Sequence, residues 1–233
     1  ISAHDLRTPL VNLQGFSGEL RLSCAQLHQL LDDHPDPQVG AILGKDIPEA
    51  LQYIEKGTLR MQALLAGRLR LSRIGRQAVR PKRLDMTRLV LEAVSTLAFQ
   101  IQQSQAAVEV AELPACVGDE LLVSLCISNL LDNALKYHTP GHPPVIRVSG
   151  QRGTSESVYR VQDHGIGVEP RQHARIFEIF ARLNPRASEG EGLGLTIVRR
   201  SVERLGGRVW LESTSGQGAA FFVALPSAPQ DGA

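Results

Sequence analysis

The sequence predicts an α+β fold: an amino-terminal helical hairpin, which would form a four-helix bundle on dimerisation, followed by an α/β sandwich domain. Over residues 1–75, apolar side chains recur at alternating steps of four and three residues, which is the period of packed helices. Over residues 85–226, helical segments are mixed with short hairpin-like strands, which favours one sheet covered by helices. Residues 76–84 are assigned to a linker between the two domains, and residues 227–233 to a frayed tail.

Two heptad seams define the hairpin. The first consists of Leu6, Leu10, Leu13, Ser17, Leu20, Cys24, Leu27 and Leu31. This helix ends at Asp32, Asp33, Pro35 and Pro37, because proline removes a backbone donor and restricts the residue before it. A loop near residues 32–46 is predicted to join it to the second helix. The second seam consists of Ile47, Leu51, Ile54, Thr58, Met61 and Leu65. A lone hairpin has little area to bury, so we expect a homodimer through residues 1–75; packing against the rest of its own chain is the alternative.

The elements of the second domain follow a basic stretch at 73–83, which contains Gly75 and Pro81 and is typical of a linker. Apolar periodicity and capping residues, such as Asp119 at a helix start, place these elements. The predicted helices cover 85–103, 119–137, a short segment near 170–180, and 195–205. The predicted strands cover 107–110, 145–149, 158–162, 208–213 and 220–225, and the last two flank a turn around Gly216 and Gly218.

Composition excludes several classes of function. The formal net charge is +1, so no strong field favours nucleic acid or an anionic membrane as a partner. The three cysteines fit neither a metal site nor a disulfide framework, which favours a reducing, cytoplasmic location. The longest apolar stretch, 121–131, is interrupted by polar residues and is too short to span a bilayer. The chain begins at Ile1 rather than Met, so we expect a piece of a longer sensor and leave an upstream membrane segment open.

His4 is the first candidate for chemistry. With Leu6 at heptad position d, His4 falls at position b, on the outer face of the predicted bundle, and Thr8 lies one turn further on that face. An exposed imidazole is a competent nucleophile, and the neighbouring carboxylate of Asp5 can hold its second ring N–H. A lone histidine on a helix surface is more often an ordinary surface residue.

A second candidate is a polar stripe on an otherwise apolar helix. Asn129, Asn133 and Lys136 recur at steps of four and three residues. A satisfied hydrogen-bond network is one explanation, since buried amides need partners. The alternative is that the stripe faces a nucleotide. An asparagine side-chain oxygen then suits Mg²⁺, and the ammonium group of Lys136 neutralises phosphate charge.

Three further segments add to this site. Asp163 to Gly167 (DHGIG) follows a predicted strand, and its glycines let the backbone approach a ligand, although a plain turn is the default. Residues 175–180 (RIFEIF) carry two phenylalanines that either cover a pocket or fill a core. Residues 190–196 (GEGLGLT) open a helix, and N–H groups at a helix start favour phosphate.

Together these motifs resemble sensor histidine kinases. Residues 4–10 (HDLRTPL) look like the H box of the dimerisation and phosphotransfer domain, and the later segments resemble the N, G1, F and G2 boxes of the ATP-binding domain shared with gyrase, mismatch-repair and heat-shock ATPases. The resemblance extends from His4 to Leu225, and the sequence of the F box looks most like that of phytochrome-type and related bacterial kinases.

The resemblance implies a role for each site residue. His4 is the phosphoacceptor, Asp5 assists the transfer, and Thr8 is linked to dephosphorylation of a partner response regulator through its receiver domain. Asn133 holds Mg²⁺, and Asp163 reads the adenine of ATP. The other implied nucleotide contacts are Asn129, Lys136, Tyr137, Gly165, Ile166, Gly167, Phe180, Arg182, Gly192, Leu193, Gly194, Leu195 and Thr196.

Two alternatives to an active kinase stay open. Glu191 stands where the family often has a small residue; this residue and the truncated start leave room for a non-catalytic or phosphatase-biased scaffold for a response regulator. The segment between Phe180 and Gly190 is short, which indicates less ordering on nucleotide binding. A hydrolytic ATPase of the related superfamily is the other alternative, and it leaves the string around His4 unexplained.

Overall fold

The structure, a computed structural model, describes residues 3–30, 37–76, 78–179, 181 and 192–229. The chain divides into two compact units, the first ending at Arg70 and the second beginning at Leu71. The predicted division into a helical hairpin and an α/β domain therefore has a structural counterpart, although the predicted domain limits stay a prediction.

The first unit is a helical hairpin. Helix α1 spans Ala3–Leu30. Helix α2 (Pro37–Ala41), a π-helical turn (Ile42–Asp46) and helix α3 (Ile47–Arg76) are continuous with one another. The prediction that residues up to 46 form a loop was wrong, because Pro37 begins a helix. Proline is well tolerated in the first turn of a helix, where its missing N–H has no intrahelical partner.

Side chains of α1 and α3 pair in antiparallel order. Gln62 Nε2 donates to Gln14 Oε1 at 2.9 Å, and Arg21 forms an ion pair with Glu55 at 3.0 Å. Most of the described seam residues fall into two alternating sets. The buried set is Leu10, Ser17, Cys24, Leu51 and Thr58, and the set that is about half exposed is Leu13, Leu20, Leu27, Ile54 and Met61. Ile47 and Leu65 are of intermediate exposure.

The second unit is built on a five-stranded mixed sheet. The strands are β2 (Ala107–Val110), β4 (Val145–Arg152), β5 (Glu156–Asp163), β6 (Arg208–Ser213) and β7 (Ala219–Pro226), in the order β2-β4-β5-β7-β6. Strand β2 is parallel to β4, and the other pairs are antiparallel. The confirmed fold class is therefore mixed α/β, with the helical region first.

Four helices accompany this sheet: α4 (Met86–Thr96), α5 (Ala98–Gln103), α6 (Glu120–Lys136) and α7 (Gly194–Arg204). Asp119 begins α6 by accepting hydrogen bonds from Leu121 N–H and Leu122 N–H, as its sequence position predicts. The core lies between the helices and the sheet and is filled by side chains that include Met86, Leu130, Ile146, Tyr159, Ile197 and Val223.

The structure differs from the predicted elements in four places. A two-stranded sheet pairs β1 (Lys82–Leu84) with β3 (Cys116–Gly118), so part of the predicted linker is an ordered strand. The predicted helix 85–103 breaks at Leu97, and the short helix near 170–180 is two 3₁₀ turns, Pro170–Gln172 and Arg175–Phe177. The predicted tail begins with two ordered residues, Ser227 in a bridge to Cys116 and the buried Ala228. Strands of three residues are too short to give a periodic signal.

The three cysteines, Cys24, Cys116 and Cys126, are buried free thiols. Within the described ranges, the helices lack the combination of length and apolar character that a membrane span needs.

Candidate functional site

The polar stripe of α6 faces the start of α7. A Cβ built on Gly194 would lie 3.0 Å from Asn129 Oδ1 and 3.7 Å from Asn133 Oδ1. Asn129 Nδ2 donates to Leu125 O at 2.6 Å, which holds that amide along the helix. Asn133 Nδ2 is buried and has no hydrogen-bond partner among the described residues. An unpaired buried amide is costly, so Asn133 is the residue of this stripe that most needs a ligand.

Lys136, the last residue of the stripe, is engaged at the helix surface. Its Nζ lies 2.5 Å from Asp132 Oδ2, one turn earlier, and the Lys136 side chain is 41% exposed. An exposed ion pair of this kind is weak and readily exchanged for another anion. Lys136 therefore remains available to a phosphate group.

Asp163 ends β5 with a buried carboxylate. Its Oδ1 accepts hydrogen bonds from Gly165 N–H at 2.8 Å and Ala219 N–H at 3.1 Å. Within the described part of the chain, no group donates to the second oxygen, Oδ2. Burial raises the pKa of Asp163 above its ordinary value, and the two N–H donors act in the opposite direction. One carboxylate oxygen is thus fixed by the backbone, and the other is left for a donor on a ligand.

The glycines after Asp163 allow two close backbone contacts. A Cβ at Gly165 would lie 2.1 Å from Tyr137 O, so any side chain there would displace the end of α6. The same Tyr137 O accepts a hydrogen bond from Ile166 N–H at 3.0 Å. Gly167 has a φ of 66° and lies against Thr214 O. The loop 164–168 is therefore positioned between the end of α6 and the turn that joins β6 to β7.

The start of α7 brings the last motif to the stripe. Gly192 has a φ of 69°, Leu193 is buried, and Gly194 and Leu195 begin the helix. The N-cap residue, Leu193, makes no side-chain hydrogen bond to this helix start. The hydroxyl of Thr196 instead faces the carbonyls of Phe177 and Glu178, at 3.2 and 3.0 Å. Thr196, a residue predicted to contact nucleotide, thus connects α7 by its hydroxyl to the backbone at the end of the second 3₁₀ turn.

A small pocket opens beside Asp163. It is lined by the end of α6, the segment that follows it, and the loop after β5: Ala134, His138, Thr139, His142, Pro143, Pro144, Val145, Asp163, His164 and Gly165. Its walls are mainly apolar groups and imidazoles, and Asp163 supplies a carboxylate. The cavity volume is about 10 Å³, room for about one water molecule.

Several predicted residues lie outside this description. The backbones of His4, Asp5 and Thr8 lie in α1, but their side chains are not among those described. Phe180, Arg182 and Glu191 lie outside the described residues. The expectations for these residues therefore stay predictions.

The sequence analysis missed the part played by the β6–β7 turn. Ser213, Gly218 and Ala219 contact the loop after Asp163, yet the sequence indicated only a turn around Gly216 and Gly218. These glycines have φ values of 79° and 80°, so the turn itself was readable from the sequence, but its partner was not.

The chain is similar to known proteins in sequence and in fold. Residues 118–229 match the family described as "Histidine kinase-, DNA gyrase B-, and HSP90-like ATPase". The methanogenesis regulatory histidine kinase FilI of Methanothrix harundinacea (strain 6Ac) is 37% identical over 226 residues, which is 97% of this chain and 24% of FilI. The chain belongs to the sensor histidine kinase family. Its second unit is accordingly a histidine kinase catalytic domain.

Further similarities of this histidine kinase chain fit the same assignment. The phytochrome-like protein Cph1 of Synechocystis sp. (strain ATCC 27184 / PCC 6803 / Kazusa) is 29% identical over 227 residues, 97% of this chain and 28% of Cph1. Full-length ShkA in complex with AMPPNP has a similar fold, with a TM-score of 0.63 at 24% identity, over 98% of this chain and 45% of that chain. The chain spans about a quarter of the length of the curated relatives it matches.

Proposed function

We propose that this chain binds ATP with Mg²⁺ at the site between α6 and α7, transfers the γ-phosphoryl group to His4, and passes it on to an aspartate of a response regulator. The observation that carries the proposal is the contact of Gly194, at the start of α7, with the side chains of Asn129 and Asn133 on α6, in a family of ATP-dependent histidine kinases. The AMPPNP complex of the structurally similar ShkA supports ATP as the nucleotide.

Asp163 selects the base. Its Oδ1 is occupied by two backbone N–H groups, and Oδ2 accepts a hydrogen bond from the exocyclic amine of adenine. Guanine presents a carbonyl oxygen at the same place, and two acceptors would repel each other there. Gly165, Ile166 and Gly167 let the loop backbone approach the base, and Tyr137 flanks it.

The triphosphate lies between the polar stripe and the start of α7. Asn129 and Lys136 contact phosphate oxygens, and Lys136 exchanges Asp132 for phosphate when nucleotide arrives. The uncapped N–H groups at Gly194 and Leu195 point their partial positive charge at the anion.

Mg²⁺ fits this donor set as an ion held mainly by phosphate. Among the described residues, no group of three or more His, Cys, Asp or Glu side chains could hold a metal ion. The amide oxygen of Asn133 is a hard ligand of the type that Mg²⁺ accepts beside phosphate oxygens and waters. When bound, Mg²⁺ neutralises charge on the phosphates.

His4 is the acceptor. An unprotonated ring nitrogen forms the new N–P bond while the bond from the γ-phosphorus to the β–γ bridging oxygen breaks, and ADP leaves. Asp5 accepts a hydrogen bond from the other ring N–H and stabilises the positive charge that develops on the imidazole. The resulting phosphoramidate is then attacked by a receiver-domain aspartate. Thr8, one turn along α1, serves a separate reaction, in which water hydrolyses the aspartyl phosphate of the regulator and inorganic phosphate leaves.

The hairpin serves as the dimer interface in this proposal. Leu13, Leu20 and Ile54 belong to the heptad seams but are about half exposed in a single chain. A second hairpin would cover the exposed seam residues, and the two hairpins together would form a four-helix bundle.

Incubation with [γ-³²P]ATP and Mg²⁺ tests the proposal. The full chain should acquire an acid-labile, base-stable label that is absent from a His4→Gln variant and retained in a His28→Gln variant, since His28 belongs to the same helix but not to the proposed site. Label that survives in His4→Gln would exclude His4 as the acceptor. Binding of ATP without any label would favour a non-catalytic scaffold, and release of phosphate without label would favour a hydrolytic ATPase.

A further inference from the structure

The turn between β6 and β7 lies directly against the loop that follows Asp163. Gly216 N–H donates to Ile166 O at 2.8 Å. A Cβ built on Gly167 would lie 2.1 Å from Thr214 O, a distance that leaves room only for glycine. Loop 164–168 and turn 214–218 therefore meet backbone to backbone.

Ser213, the last residue of β6, joins the two segments by its side chain. Its Oγ donates to Gly218 O at 2.6 Å and accepts a hydrogen bond from Val168 N–H at 2.8 Å. Both partners belong to different segments, one to the turn and one to the loop. The hydroxyl of Ser213 therefore donates one hydrogen bond and accepts another at the same time, and so links the turn to the loop.

The same turn also holds Asp163 itself. Ala219 N–H donates to Asp163 Oδ1 at 3.1 Å, and a Cβ at Gly218 would lie 2.2 Å from Asp163 O. Moving the turn relative to the loop would therefore change where the carboxylate lies. A carboxylate that reads a base must be held within about 0.5 Å of its productive position.

We propose that Ser213 is a positioning residue for the nucleotide site, which acts through Val168 and Gly218 to fix the loop after Asp163 against the β6–β7 turn. This inference rests on the proposed nucleotide function of Asp163. Without the hydroxyl, Val168 N–H loses its acceptor and Gly218 O loses a donor, so the loop and the turn can separate while the strands on either side stay paired.

Ser213→Ala in the full chain is the direct test. Calorimetric titration with ADP and Mg²⁺ should show about tenfold weaker binding, the effect expected from losing two hydrogen bonds that hold a binding group. Ser213→Thr keeps the hydroxyl on a strand residue and should bind ADP within about twofold of the original chain. Rescue by threonine separates the hydroxyl from the volume of the side chain.

Ser227→Ala is the matched control. Ser227 lies beyond the opposite end of β7, and its Oγ donates to Gly153 O at 3.2 Å. Loss of that hydroxyl removes a similar bond far from Asp163 along the strand, so ADP binding should not change. Amide hydrogen exchange adds a local measurement: exchange at Gly165, Ile166 and Val168 should accelerate in Ser213→Ala, while the amides of α6 keep their protection.

The outcomes are distinct. ADP binding by Ser213→Ala at the original affinity, or equal weakening in Ser213→Ala and Ser227→Ala, would overturn the inference. Unchanged exchange in loop 164–168 would also overturn it. If the original chain binds no ADP, the proposed nucleotide function fails, and the exchange measurement still decides whether Ser213 positions the loop.

Discussion

Gly194, the first residue of α7, lies against the side chain of Asn129 on α6, where a methyl group at position 194 would come 3.0 Å from Asn129 Oδ1. Asn129 is held in place because its Nδ2 donates to Leu125 O at 2.6 Å. The absence of a side chain at Gly194 therefore sets how closely the start of α7 approaches the polar stripe.

Gly194→Ala should weaken nucleotide binding about three- to tenfold, because the added methyl group crowds Asn129 and pushes the helix start away from the stripe. The affinity for ADP with Mg²⁺, measured by calorimetry, checks this. Gly57→Ala is the control, since a Cβ at Gly57 in α3 meets nothing within 4 Å and should leave the affinity unchanged. Full affinity in Gly194→Ala would mean that the approach of α7 to α6 does not matter for binding.

Asp163→Asn should abolish selectivity for adenine while the fold is retained. The amide oxygen can still accept from Gly165 N–H and Ala219 N–H, but the group that faces the ligand becomes an N–H donor in place of an acceptor. Loss of a hydrogen bond to a charged acceptor corresponds to roughly 10- to 100-fold weaker ATP binding. Competition between ATP and GTP provides the measurement, and an unchanged ATP preference would show that Asp163 does not read the base.

Asp163→Asn should also be more stable than the original chain, by an amount that depends on pH. Burial raises the pKa of Asp163 above the ordinary 3.8, so the folded state disfavours the ionised carboxylate relative to the unfolded chain. The folded chain should therefore lose stability relative to Asp163→Asn as the pH rises from about 3.8 through the raised pKa, and the difference should be constant above it. Urea unfolding of both proteins between about pH 4 and pH 8 measures this difference. A constant difference across that range would contradict a raised pKa.

The sequence was sufficient to predict most of the second unit. Asp119 capped the helix it was expected to cap, and β2 was predicted at its observed limits, because capping side chains and alternating apolar residues are local signals. Strand β1 was taken for linker because Lys82–Leu84 is short and polar, and its pairing with Cys116–Gly118 is a long-range contact. Long-range pairing of short strands leaves no periodic pattern to detect.

The site was predictable as a set of residues but not as a set of contacts. The spacing of Asn129, Asn133 and Lys136 indicated one face of a helix, and the structure places Gly194 against two of them. The bonds of Thr196 to the backbone of Phe177 and Glu178 could not be foreseen, because a hydroxyl at a helix start serves equally well as a ligand contact or as a structural bond. For Ser213 the sequence contained no signal beyond a strand end.

Lys136→Met should lower the affinity for ATP about tenfold and reduce the salt dependence of binding, since one phosphate-neutralising charge is removed. The free energy of unfolding should change by less than about 0.5 kcal/mol, because the pair with Asp132 is exposed and one turn apart on the helix. Arg199→Met is the matched control: Arg199 pairs with Glu203 one turn along α7, with similar exposure. Equal losses of ATP affinity in both variants would argue against a specific role for Lys136.

Leu20→Glu should convert the chain from a dimer to a monomer. Leu20 belongs to the first heptad seam yet is 52% exposed in the single chain, so a second hairpin would bury it and a glutamate there would place a charge in the interface. Leu22→Glu is the control, because Leu22 is 66% exposed but lies outside the seam, and this variant should remain dimeric. Light scattering coupled to size-exclusion chromatography gives the mass of each species. A dimeric Leu20→Glu, or two variants that dissociate alike, would mean that the exposed half of the seam is not the surface through which the hairpins pair.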